Sequence, residues 1–211
     1  MHSSVQTAFR AFNEPFEGVV HWMYLDVRGL VTVGVGNLIE PVELALKLPF
    51  HHRAEPSRAA TAGEIAAEWR RVKSATSLAH AGWRACEAVT TLGLDDHAID
   101  ALISSCLDAN EALLTKKSSF QAFDVWPADA QLGLLSMSWA LGVQGLERFS
   151  MFSAACRSGD FLGAAANCLI REGANPGVAP RNRANRVLFR NAATVRSAGI
   201  DPARLYYPVS L

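Results

Sequence analysis

Apolar and polar residues alternate along a short stretch near the N-terminus. From Leu30 to Val35, valine occupies every second position and faces one way, whereas Thr32 and Gly34 face the other way. An aromatic and apolar run precedes this stretch at Trp22–Leu25, and the intervening Asp26–Gly29 has the composition of a tight turn. The pattern predicts a short β-hairpin with its valine face toward a core and its threonine face toward a groove.

The rest of the chain has the residue spacing of amphipathic helices. A first helix is predicted over Met1–Asn13, and a capping box at Thr61–Glu64 begins a helix that reaches about Ala75. Pro127 precedes an almost wholly apolar helix over Ala128–Leu141. Further helices are predicted over residues 41–47, 94–114, 149–157, 160–171 and 180–196. Residues 49–57 are predicted as a loop, and residues 78–92 fit either a helix or an elaborated loop.

Length and composition are those of a globular protein. The chain has 211 residues, of which 50% are hydrophobic and 19% are charged, which is enough to bury a core in one domain. No apolar run approaches the length of a membrane span, so no membrane insertion is expected. The first residues lack the apolar centre of a signal peptide. We therefore expect another machine to deliver the protein to any target outside the cytoplasm.

Charge is distributed unevenly, although the formal net charge is zero. Residues 1–140 carry 11 basic and 16 acidic side chains, a balance of −5, whereas residues 141–211 carry 9 arginines and 4 acids, a balance of +5. A basic patch attracts acidic polymers such as bacterial cell wall or nucleic acid, but a solvated helix face explains these arginines equally well. The four cysteines have no metal-binding spacing, so buried free thiols and no metal are expected.

Two carboxylates and one hydroxyl are the candidate chemical groups. Glu17 precedes the hairpin, Asp26 lies at its turn and Thr32 lies on its second strand. Glycoside hydrolysis needs one carboxylic acid to protonate the leaving oxygen and a second carboxylate to attack the sugar or hold a water. A hydroxyl beside the second carboxylate favours the water-using route. Glu17 would need partial burial to keep its proton, and Asp26 would need to stay solvated and ionised.

These residues belong to a longer pattern that resembles a known family. The pattern E-G-x5-Y-x-D-x2-G-x2-T-x-G-x-G, which begins at Glu17, is similar to the signature of phage-type lysozymes, glycoside hydrolase family twenty-four. The resemblance implies that Glu17 is the general acid, that Asp26 positions the water and that Thr32 helps to hold it. Asn37 departs from the family, which often has His there, and Pro15 introduces a kink or a new cap before Glu17.

The resemblance extends to residues outside the hairpin. It covers residues 9–40 well, residues 127–196 moderately and residues 41–126 poorly. It implies that Leu38, Trp139 and Phe152 contact the sugar, although core packing explains Trp139 equally well. It also implies that Arg183, in an arginine-rich segment near the C-terminus, pairs with Glu17 and supports it.

The fold implied by the resemblance is α+β and predominantly helical. It is lysozyme-like, with a small β-hairpin lobe, a larger helical lobe and a cleft between them. Residues 1–211 are expected to form one domain, in which residues 13–60 form the hairpin lobe, residues 61–126 a variable helical middle section and residues 127–211 the helical lobe.

The activity implied is that of a muramidase. It would hydrolyse the β-1,4 bond between N-acetylmuramic acid and N-acetylglucosamine in bacterial peptidoglycan, with inversion, without cofactor or metal, as a monomer and without nucleic acid. A lytic transglycosylase, a chitinase-like glycosidase and a non-catalytic wall-binding module remain alternatives. Action at the cell wall, in the periplasm, would follow release through a phage holin or delivery by a secretion system. In the second case the protein is an antibacterial effector with an immunity protein as a partner.

Overall fold

The protein has an α+β, predominantly helical fold, as the sequence predicts. A computed structural model describes residues 1–173 and 177–211. The chain divides into two compact units: residues 17–106, here called the sheet unit, and residues 1–16 with 107–211, here called the helical unit. This division differs from the three predicted segments, because residues 61–106 of the middle section belong with the hairpin. No helix among the described residues is long and apolar enough to cross a membrane.

The elements follow one another in a mixed order along the chain. The α-helices of the described residues are α1 (Ser3–Glu17), α2 (Val42–Ala45), α3 (Ala62–Ser74), α4 (Trp83–Cys86), α5 (Asp96–Leu114), α6 (Ala128–Leu141), α7 (Ser150–Ser158), α8 (Phe161–Asn167) and α9 (Val178–Ala198). The strands are β1 (Val20–Leu25), β2 (Val31–Gly34), β3 (Asn37–Leu38), β4 (His51–His52), β5 (Glu55–Ala59) and β6 (Leu92–Gly93). The first helix continues through Pro15 and ends at Glu17.

The sheet unit contains two small antiparallel sheets. The predicted hairpin is β1 and β2, and a third strand, β3, extends it in the order β1-β2-β3. The second sheet has the order β5-β4-β6, and its strands β4 and β5 lie mostly within residues 49–57, which the sequence predicts as a loop. That prediction is wrong because the pairing partner of His51 and His52 lies about forty residues further on, in β6. Residues 76–89 form α4 with a short helical turn on each side of it, and Leu92 begins β6.

Hydrogen bonds connect the middle section, residues 61–126, to the first sheet. The indole N–H of Trp69 on α3 donates to the Ile39 carbonyl at 2.9 Å, and that of Trp22 on β1 donates to the Trp83 carbonyl at 3.2 Å. Helix α3 begins with the predicted capping box, in which Thr61 and Glu64 bond each other's backbone. The middle section is therefore the support of the hairpin, although the family resemblance is weakest there.

The helical unit is built around α6, which is buried over most of its length. Gly133 of α6 allows close packing, since a Cβ there would lie 3.0 Å from the Phe189 ring of α9. Asp129, also on α6, is fully buried and accepts backbone N–H bonds from Tyr206 and Tyr207 at 2.9 and 3.0 Å. Burial raises the pKa of the Asp129 carboxyl. These bonds fasten the C-terminal segment to the core of the unit.

The cysteines agree with the expectation of buried thiols. Cys86, Cys156 and Cys168 are buried, Cys106 is half-buried, and all four are free. Burial raises the pKa of the Cys168 thiol to about 11 and also raises that of Cys106. The raised pKa values keep these two thiols protonated and unreactive near neutral pH.

Candidate functional site

Three side chains lie in a row across the first sheet. Tyr24 of β1 pairs with Thr32 of β2, and Thr32 in turn pairs with Leu38 of β3. Residues directly opposite each other on antiparallel strands project from the same face. Leu38 is 50% exposed, so the row reaches solvent at the β3 edge, whereas Thr32 is only 4% exposed. Tyr24 and Leu38 therefore flank the threonine that the sequence predicts to hold a water.

Asp26 closes the turn between β1 and β2 with one of its two carboxylate oxygens. Its Oδ1 accepts the backbone N–H of Arg28 and of Leu30, each at 2.8 Å. The backbone N–H of Asp26 also donates to the Leu30 carbonyl at 2.9 Å. Gly29 has a φ of +73°, which a residue with a side chain adopts only under strain. Within the described part of the chain no group donates to Oδ2, so this oxygen can accept a hydrogen bond from water.

The phenol of Tyr24 lies near both carboxylates. Burial raises the pKa of Tyr24 strongly, and the negative charges of Glu17 and Asp26 raise it further. Because charges act on a titrating group mainly over short distances, both acids belong to the surroundings of one hydroxyl. Both are half-buried. Glu17 and Asp26 therefore both act on the Tyr24 hydroxyl, while their convergence on one sugar stays a prediction. Tyr24 is missing from the predicted site, although the matched pattern contains it.

The hydroxyl proton of Thr32 is already donated in a hydrogen bond. Its Oγ1 donates to the Leu30 carbonyl at 3.1 Å. The oxygen of Thr32 can therefore accept a hydrogen bond from a water but has no second proton to donate. Leu30 thus contacts both candidate water-holding residues, since its N–H donates to Asp26 and its carbonyl accepts from Thr32.

Gly34 does not leave the open space that its missing side chain suggests. A Cβ at Gly34 would lie 2.8 Å from Oδ1 of Asn37, so the asparagine occupies that space. Asn37 is buried, accepts the Val35 N–H at 3.2 Å and donates to Sγ of Cys106 at 3.2 Å. The residue that departs from the family pattern therefore closes the β2–β3 turn, and the groove beside Thr32 does not extend over Gly34.

The aromatic residues predicted to contact sugar lie in the helical unit and have different environments. Phe152 is fully buried, with its ring centroid 6.3 Å from that of Phe120 and 5.3 Å from that of Phe189. It is a core residue with no surface for a polymer, so its predicted sugar contact is corrected. Trp139 is half-buried and packs its ring 4.9 Å from that of Phe9 on α1. Trp139 therefore packs against another aromatic side chain, while part of its surface stays exposed.

The arginine-rich segment contributes a buried arginine, but it is Arg181. Its Nη1 donates to Oδ1 of Asn13 on α1 and to the Ser136 carbonyl on α6, both at 3.0 Å. Its guanidinium also lies 4.9 Å from the centroid of the Phe16 ring. Arg183 is exposed. The pairing of Arg183 with Glu17 stays a prediction, and Arg181 is the residue that fastens α9 to α1.

Metal-binding groups do not cluster in the described residues. Across 1–173 and 177–211, no three His, Cys, Asp or Glu side chains come close enough together to hold an ion. Glu17 and Asp26 are two acids that both act on the Tyr24 hydroxyl. Carboxyl groups are able to give and take protons.

The comparisons with known proteins do not identify a family. No family model matches the chain, and no curated protein sequence matches it. The interpretation of the site therefore depends on the pattern of residues around the hairpin and on their geometry.

Proposed function

We propose that the protein is a glycoside hydrolase of the lysozyme type. Its substrate would be bacterial peptidoglycan, cleaved at the β-1,4 bond between N-acetylmuramic acid and N-acetylglucosamine, at the cell wall. The observation that carries the proposal concerns Tyr24. The negative charges of Glu17 and Asp26 both raise its pKa, and it lies directly opposite Thr32 on the neighbouring strand. The spacing of the three residues, which resembles that of phage-type lysozymes, supplies the substrate class.

The hydrogen-bond pattern supports a water-using mechanism. A water that donates one proton to Oδ2 of Asp26 and the other to Oγ1 of Thr32 would have a lone pair left to attack the sugar. The free acceptor of Asp26 and the committed proton of Thr32 both favour this orientation. Glu17 would protonate the leaving oxygen, and Asp26 would take the proton of the attacking water.

The stereochemical outcome follows from this division of roles. Because a water stands between the second carboxylate and the sugar, the anomeric configuration inverts. Inverting enzymes hold their two carboxyl groups roughly 6.5–9.5 Å apart, against about 5 Å for retaining enzymes. No cofactor takes part in this chemistry.

Product analysis tests the proposal. Purified sacculi are digested with the protein in water enriched in oxygen-18, and the released muropeptides are analysed by mass spectrometry. We expect reducing N-acetylmuramic acid ends that carry one labelled oxygen. Anhydro ends would assign the protein to the lytic transglycosylases, cleavage of chitin alone would assign it to chitinase-like enzymes, and binding without cleavage would make it a wall-binding module.

Variants on α1 test the role of the acid. Glu17→Gln should lower the rate by about 100- to 10,000-fold, the usual contribution of a general acid. Glu14→Gln is the matched control, because it removes the same charge from an exposed position of the same helix and should leave the rate unchanged. Full activity of Glu17→Gln, with an unchanged fold by circular dichroism, would refute the assignment.

A further inference from the structure

An ion pair from the middle section lies against the Asp26 turn. Nζ of Lys73, on α3, donates to Oε1 of Glu40 at 2.6 Å and to the Gly29 carbonyl at 2.8 Å. The same Oε1 of Glu40 accepts the Val31 N–H at 2.8 Å. The pair therefore binds the hairpin backbone at Gly29 and Val31, the residues on either side of Leu30.

Leu30 is the residue through which the two water-holding side chains are connected. Its N–H donates to Oδ1 of Asp26 at 2.8 Å, and its carbonyl accepts the Thr32 hydroxyl at 3.1 Å. The Asp26 N–H donates to that carbonyl too, at 2.9 Å. A rotation of the peptides around Leu30 would therefore turn the Asp26 carboxylate and the Thr32 hydroxyl together. Lys73 and Glu40 oppose this rotation by bonding the neighbouring residues on both sides.

The pair is charged and partly shielded from solvent. The side chains of Lys73 and Glu40 are 37% and 18% exposed. Burial raises the pKa of Glu40, but the hydrogen bonds from Lys73 and from the Val31 N–H outweigh it and lower the pKa below its ordinary value. Glu40 is therefore ionised at neutral pH, and its bonds to Lys73 and Val31 are charge-assisted, which makes them stronger than bonds between neutral groups.

We propose that Lys73 and Glu40 are positioning residues for the hydrolytic water. They hold the backbone around Leu30 and thereby keep Asp26 and Thr32 aimed at one point. The inference rests on the proposed function and gives the middle section a part in it. Neither residue acts as acid or base. Their effect reaches the water through Leu30, so the pair changes the rate of the chemical step more than the binding of the polymer.

Four variants test this role. Lys73→Met removes the charge and both hydrogen bonds but keeps a flexible stem of similar length. Lys73→Arg keeps the charge and the donors, and Glu40→Gln keeps an oxygen for the Val31 N–H while removing the charge. The matched control is Arg70→Met, which removes a positive charge from an exposed position of the same helix.

Two measurements are made on each variant at a temperature where all are folded. The first is the kcat and KM for peptidoglycan hydrolysis, and the second is amide hydrogen exchange at Arg28 and Leu30, the donors to Asp26. We expect Lys73→Met to lower kcat by about tenfold to a hundredfold, the effect of misplacing a reacting group by up to an ångström, with KM changed by less than about twofold. Exchange at Leu30 should speed up in parallel.

The other three variants test whether the effect of Lys73→Met comes from the lost ion pair. Lys73→Arg should recover most of the lost kcat and Glu40→Gln should lose about severalfold, because a neutral acceptor holds Val31 less tightly than a charged one. Arg70→Met should behave as the wild type. The inference is overturned if Lys73→Met lowers only the stability while kcat and Leu30 exchange stay unchanged. A wild-type protein without glycosidase activity would refute the proposed function instead, and exchange would still report whether the pair holds the turn.

Discussion

Replacing Asp26 by Asn should abolish hydrolysis while it leaves the hairpin turn in place. The two functions of this side chain are divided between its oxygens, because Oδ1 accepts from Arg28 and Leu30 and Oδ2 is the proposed acceptor for water. An asparagine can keep its amide oxygen at the Oδ1 position and so retain both backbone bonds. It cannot take a proton from water. Asp26→Ala, in contrast, removes both functions at once.

The two variants should differ in stability and agree in activity. Hydrogen bonds to a charged group contribute about 1.5–3 kcal/mol and those to a neutral group about 1 kcal/mol, so Asn should cost about 2 kcal/mol over two bonds. Ala loses both bonds and should cost about 3 kcal/mol or more. Loss of a general base should slow both variants by about 100- to 10,000-fold. That range corresponds to about 3–5 kcal/mol of activation free energy.

Urea denaturation and the initial rate of peptidoglycan hydrolysis, measured on the same preparations, separate these effects. The expected pattern is equal loss of rate in the two variants and a clear difference in unfolding free energy. An Asp26→Asn variant that keeps more than a tenth of the wild-type rate would refute the role of Oδ2. Equal stability of the Asn and Ala variants would refute the role of Oδ1 in closing the turn.

Three further outcomes are expected. Thr61→Ala removes the cap of α3 and should lower the unfolding free energy in urea by about 1 kcal/mol. Backbone and side-chain hydrogen bonds from Thr61 lower the pKa of Glu64 to about 2. The free energy of unfolding should therefore decrease as the pH falls from about 4.5 toward 2, and Glu64→Gln should make the melting temperature less dependent on pH over that interval. Asp129→Ala should speed amide exchange at Tyr206 and Tyr207, whose N–H groups lose their acceptor; unchanged exchange there would contradict the bonding described.

Local signals predict the parts of the fold that local interactions determine. The strand within Leu30–Val35, the turn chemistry at Asp26 and the capping box at Thr61 each act over a few residues, and each occurs. The predicted open face of that strand is wrong, because β2 is buried on both faces. The second sheet depends on pairing between His51 and Gly93, and no local pattern announces a two-residue strand. The hydrogen bond from Lys73 to Gly29 joins residues 44 positions apart, so no local pattern in the sequence predicts it either.

The candidate site shows the same limit at the level of single residues. A motif fixes which residues occur, but burial depends on the packing of the whole unit, and therefore Phe152 matched a sugar-contacting segment while lying in the core. Arg181 and Arg183 are two positions apart on α9, and successive helical residues are about 100° apart around the axis. The two arginines therefore leave the helix about 200° apart, and the folded chain buries Arg181 against α1 while Arg183 stays exposed.

The partners of α1 lie far from it along the chain, at separations of 168 to 199 positions. Within the helical unit, Ser4 bonds the Ala203 carbonyl, the Phe12 ring lies 5.2 Å from that of Tyr207, and Asn13 accepts from Arg181. The sheet unit, in contrast, is one uninterrupted segment and can form early on the ribosome. The helix that ends in the proposed acid thus gains these partners only after residues 181–207 have been synthesised. A chain that stops before residue 181 would leave α1 without any of these three contacts, so the proposed activity should require residues from 181 onward.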